Sequence, residues 1–134
     1  MAFPRWQPPL LALMAATLAG CAPPEPPPQP RGLFVVVHIP EGLIPLERAA
    51  RYEEPLGQAL EARGLGEVSG GGSQMSPPRP DGTHEIISID IDVDLADAAH
   101  GLPALREELH KLHPPPGTQL AYTGADGSPV QEAF

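Results

Sequence analysis

The chain has 134 residues, 20 of them proline and 14 glycine, and 17 acidic against 8 basic side chains give a net charge of −9. That length allows one small domain plus extensions, and the acidity argues against nucleic acid as a partner, since a polyanion selects for Lys and Arg. A single cysteine excludes an internal disulfide framework.

Residues 1–21 carry one base, Arg5, followed by an apolar run from Leu10 to Ala19. The run is about half the ~20 residues a membrane-spanning helix requires, and with a basic start and small residues at its end it reads as a secretory signal. Its end, Leu18-Ala19-Gly20-Cys21, resembles the lipobox of bacterial lipoproteins. The resemblance implies diacylglyceryl transfer to the Cys21 thiol, cleavage before Cys21 and acylation of the freed amine, as by palmitate. It covers about a sixth of the chain and implies nothing about the rest. Two acyl chains suffice for stable anchoring at ~0.8 kcal/mol per buried methylene, so the bilayer is the first expected partner and the covalent lipid on Cys21 the only expected cofactor. Ala22 stands where some lineages place an Asp for inner-membrane retention. The expected location is therefore the cell envelope: the outer membrane facing the periplasm in a diderm, the surface in a monoderm.

Six prolines fall within residues 23–30. Proline lacks the amide donor and fixes φ, so residues 21–31 are expected to form a stiff tether. Polyproline II at ~3.1 Å per residue holds the remainder of the chain roughly 25 Å from the lipid.

Beyond the tether, residues 32–123 read as one small α+β domain. The apolar, β-branched run 33–39 predicts a buried strand closed by Pro40. Leu46, Ala49, Ala50, Leu56 and Leu60 predict a helical stretch from about 46 to 63, kinked or split at Pro55, with Gly64 as its cap. Residues 67–75 predict an edge strand, weakened by Gly70-Gly71-Gly72. A turn over 77–82 then leads to a strand over 86–95. There Ile87, Ile89, Ile91 and Val93 alternate with Ser88, Asp90, Asp92 and Asp94, one face buried and the other acidic. A second helix is expected from Pro103 to about 113, with Leu102, Leu105, Leu109 and Leu112 in one stripe. A last strand is expected over 118–123, and residues 124–134 are expected to form a loose tail. Two split β-α-β units give a four-stranded antiparallel sheet in the order 4-1-3-2 with both helices on one face. The architecture resembles the ferredoxin-like fold.

Enzymatic constellations mostly fail, and a non-enzymatic protein is expected. Ser69 and Ser73 do not sit in a G-x-S-x-G elbow between strand and helix. Gly64, Gly66 and Gly70 lead from helix into strand, the reverse of a phosphate loop. Glu107, His110 and His113 recur every third residue, yet a di-metal site would need carboxylates from other helices. The most unusual feature is Asp90, Asp92 and Asp94, three carboxylates on one face at ~6–7 Å intervals, too far apart to ligate one ion unaided. No metal site is assigned. Phe34, Val36 and His38 are expected beside them, exposed apolar groups next to acids. Together these six residues form the candidate binding face, for another protein or a second copy. A metal-dependent hydrolase or cation binder using the aspartates, and a passive spacer, stand as alternatives.

Overall fold

A computed structural model describes Gly20, residues 22–25 and residues 32–134. Cys21, the segment before Gly20 and residues 26–31 of the tether lie outside the described residues. Residues 32–134 form an α+β structure with strands β1 (Leu33–Ile39), β2 (Gly66–Met75), β3 (Ile86–Leu95), β4 (Gln119–Thr123) and β5 (Pro129–Ala133). The helical elements are α1 (Pro45–Arg48), a π-turn (Ala49–Glu53), α2 (Glu54–Ala62) and α3 (Ala98–Lys111).

The five strands make one antiparallel sheet in the order β2-β3-β1-β4-β5. The first four keep the expected 4-1-3-2 order; the fifth is a correction. Residues 124–134 are not a loose tail but a hairpin strand added beyond β4. Asp126-Gly127 supplies the turn: Gly127 takes φ 83°, Gly124 N–H donates to the Ser128 carbonyl at 2.8 Å, and the Asp126 carboxylate accepts from Ser128 N–H at 2.9 Å. An Asp-Gly pair between alternating strands is a hairpin signal, and glycine meets the positive φ without Cβ strain.

Alternation decides which side of the sheet is buried. Val35, Val37 and Ile39 of β1, Ile89, Ile91, Val93 and Leu95 of β3, and Leu120 of β4 point to one face. There they meet Tyr52, Leu56 and Leu60 from the first helical stretch and Ala104, Leu105 and Leu109 from α3 in one continuous core. Ile87, expected in this set, is 51% exposed. It lies at the hairpin end of β3, where the register against β2 shifts between Gln74 and Met75.

The helices follow from local chemistry. Pro45 sits at the first turn of α1, where a missing N–H costs nothing. Pro55 cannot donate to the Arg51 carbonyl, and the chain meets that loss with the wider π-turn over Ala49–Glu53 before α2 begins. Gly64, at φ 65°, closes α2 with paired bonds from Leu65 N–H to the Leu60 carbonyl and Gly64 N–H to the Glu61 carbonyl, both 3.0 Å. α3 starts earlier than expected. Asp97 caps it by accepting from His100 N–H at 2.7 Å, a bond that also holds its carboxyl below the usual range. Pro103 therefore lies inside the helix. Gly101 is needed there because a Cβ would stand 2.9 Å from Leu95 Cβ.

Candidate functional site

The face of the sheet away from the helices carries the sequence-predicted residues side by side. Strand pairing sets Phe34 opposite Asp94, Val36 opposite Asp92 and His38 opposite Asp90. Antiparallel partners share a face, so the six residues form two adjacent rows, one apolar grading into histidine and one acidic.

Within these rows one polar contact forms. His38 Nδ1 lies 2.7 Å from Asp90 Oδ1, with both side chains about a third exposed. Among the described residues, Asp92 and Asp94 take part in no ion pair. Asp94 also faces Glu67 across the β2–β3 ladder, and like charges directly opposite repel. No group of three or more His, Cys, Asp or Glu among the described residues is arranged to hold a metal ion. The aspartates stand in a line along one strand instead of converging.

Phe34 is 51% exposed. It lies at the edge of a groove of about 640 Å³, which also takes in Ala121, Thr123 and the Gly124–Gly127 turn. The C-terminal segment, which could have covered this face, does not. Val130, Glu132 and Phe134 belong with the helix side: Val130 pairs with Tyr122, Glu132 binds Arg106 of α3, and the Phe134 ring centroid is 4.2 Å from that of His110.

On the β2 side the face is nearly bare. Gly70 pairs with Asp92 and Gly72 with Asp90, so no β2 side chain stands directly beside those two aspartates; Glu67 stands beside Asp94. A register shift between Val68 and Gly70 bulges Ser69 out of the ladder. Composition marked these glycines only as a weak strand; their position beside the aspartates required the register.

Ser88 corrects a further expectation. Its place in the alternation put it on the solvated acidic face, yet it is only 5% exposed, and its Oγ has no hydrogen-bond partner. The helical triplet disperses. Glu107 turns to Arg63 and Lys111, His110 to Phe134, and His113 Nδ1 to the Lys111 carbonyl.

Two polar clusters lie on the helix side. Tyr52 hydroxyl donates to Glu41 at 2.7 Å, and burial together with that carboxylate pushes its pKa up to about 12. Arg106 grips Glu132 with two bonds, 2.6 and 2.7 Å, while Tyr122 donates to the same carboxylate at 3.0 Å. No protein-family model matches this chain, and neither curated proteins nor solved structures give a match.

Proposed function

We propose that the protein is a lipid-anchored, non-enzymatic module of the cell envelope that binds another protein through the open face of its sheet. The observation that carries this reading is Phe34, half exposed beside Val36 and a row of carboxylates, on a face left open by the C-terminal strand. A large exposed aromatic rimmed by polar groups is the composition of a recognition patch. Cys21 serves as the acyl attachment point, and the proline-rich segment as its spacer. The four-strand order β4-β1-β3-β2, with a helical layer on one side, supports a ferredoxin-like sandwich extended by β5.

Site-specific photocrosslinking tests this in the native membrane. A benzophenone side chain at Phe34 should give a discrete adduct in the membrane fraction. The same probe at Leu46, which is 77% exposed on the first helical stretch, should not. Cys21→Ser should move the protein out of that fraction. Adducts of equal yield at both positions would overturn the open-face reading, and a Cys21→Ser protein that stays membrane-bound in mature form would overturn the anchor.

A further inference from the structure

β2 ends the sheet with ten residues whose outer backbone groups pair with no strand among those described. Proteins blunt such an edge with Lys, Pro or inward charges. β2 has neither Lys nor Pro and carries one charge, Glu67. Its ladder to β3 is interrupted by the bulge at Ser69 and by a second register shift between Gln74 and Met75, which leaves Gly70–Gln74 regular. The outward backbone groups, carried by every second residue of this strand, suit strand addition, in which main-chain bonds supply affinity and alternate side chains supply specificity.

The charge around this edge selects the incoming strand. On the open face stand Glu67, Asp92 and Asp94; on the helix side Glu54 and Glu61 line a groove with Val68. None of these five acids forms an ion pair among the described residues. Arg48, which lies against Gly71, is held by Glu53 at 2.5 Å and by Ser73 at 3.2 Å. A second copy docked edge to edge would bring the same acids together, so the field favours a basic strand.

The glycines make the aspartates reachable from that strand. An added strand would lie two strand spacings from β3, about 10 Å, with β2 between. A side chain on β2 would block the way. A Cβ at Gly70 would stand 3.5 Å from Asp92 Oδ2, and a Cβ at Gly72 would meet nothing within 4 Å. The lanes from the edge over Gly70 to Asp92 and over Gly72 to Asp90 are thus open, and the long stems of Lys and Arg can lie along them. Because Gly70 and Gly72 are two residues apart, the reaching side chains must also alternate.

We infer that the β2 edge takes up an extended segment of a partner protein bearing Lys or Arg at alternate positions, whose basic heads cross Gly70 and Gly72 to the aspartate row. This rests on the proposed role as a recognition module and names the partner's chemistry. The test is fluorescence anisotropy on the whole chain in detergent, with two labelled ten-residue peptides: alternating Arg-Thr, and the same residues in two blocks. The alternating peptide should bind at least tenfold more tightly, and N-methylation of alternate amides on the side facing β2 should remove that advantage. Gly72→Val should weaken it by a similar factor while leaving the melting temperature unchanged or higher, since the site has room and valine favours a strand. Asp92→Asn should weaken it as well. Equal affinity for the two peptides, or undiminished binding by Gly72→Val, would overturn the inference, as would concentration-dependent dimerisation abolished by Gly72→Val. Crosslinking at Phe34 reads the open face independently, so failure at the edge leaves that result standing or falling by itself.

Discussion

Replacing Glu132 by Gln should loosen the C-terminal hairpin, and should do so only where the native carboxylate is ionised. Glu132 receives two guanidinium bonds from Arg106 and one from the Tyr122 hydroxyl, so it ties β5 to α3 and to β4 at once. The side chains are 34% and 30% exposed. An exposed ion pair contributes ~0.2–1 kcal/mol and a well-formed hydrogen bond to a charged group ~1.5–3 kcal/mol. Solvent screening at this exposure places the cluster between them, at about 1–2 kcal/mol. The pH dependence follows from linkage. The Arg106 bonds hold the Glu132 carboxyl below its ordinary 4.5, so its contribution is fully present above pH 4.5 and disappears as pH falls through the lower, folded value. Amide exchange resolved over residues 119–134 measures the hairpin separately from global unfolding. At pH 7, Glu132→Gln should speed exchange there by roughly 5- to 30-fold, the equivalent of 1–2 kcal/mol. After correction for intrinsic rates, the difference between the two proteins should shrink well below pH 4. Asp81, Asp97 and Asp126, also held low by local hydrogen bonds, titrate alike in both proteins and cancel in the comparison. Unchanged protection at pH 7, or an equal loss at both pH values, would refute the clamp.

Two further outcomes test the assignment of the sheet's faces. Ile89 is fully buried in the core, so Ile89→Ala should lower stability in urea melts by ~2–5 kcal/mol; a loss under about 0.5 kcal/mol would place it on the wrong face. Ser88→Ala removes a buried hydroxyl that has no partner. Since such a group costs ~1–3 kcal/mol to bury, the variant should be as stable as the wild type or up to about 1 kcal/mol more so in the same melts, and a clear loss would show that the hydroxyl is bonded.

The parts legible in the sequence are those in which a period of two or a local breaker decides the structure. Ile89, Ile91 and Val93 must share a face opposite Asp90, Asp92 and Asp94 in any strand, and pairing of β1 with β3 then aligns Phe34, Val36 and His38 with the acids. Gly64 and Pro55 mark the end and the irregularity of the first helical stretch for reasons internal to a few residues. Where the reading failed, it passed over a local signal, the Asp97 cap or the Asp126-Gly127 turn, which tertiary contacts then reinforce. Pro103 looks like a helix start, but Asp97 caps the helix one and a half turns earlier, and packing of Leu105 and Leu109 against the sheet offsets the lost bond. Residues 129–133 are short and open on proline, and they persist as a strand because β4 offers an edge and Arg106 holds Glu132.

The glycine run shows how a weakness in one element becomes a property of the site. Read along the chain, Gly70-Gly71-Gly72 only lowers strand propensity. Placed by the register, the three residues serve two faces. Gly71 lies under the first helical stretch, where a Cβ would stand 2.5 Å from Glu53 and 3.1 Å from Arg48, so close packing of that ion pair requires glycine. Gly70 and Gly72 point the other way and have no comparable packing reason, since a Cβ at either meets ordinary contact or open space. Packing against the Arg48–Glu53 pair thus accounts for one glycine of three. The other two keep clear the lanes from the sheet edge, Gly70 to Asp92 and Gly72 to Asp90, at some cost in strand stability. The distinction can be measured, because Gly71→Ala should destabilise the fold while Gly72→Val should not, and only the second should act through binding.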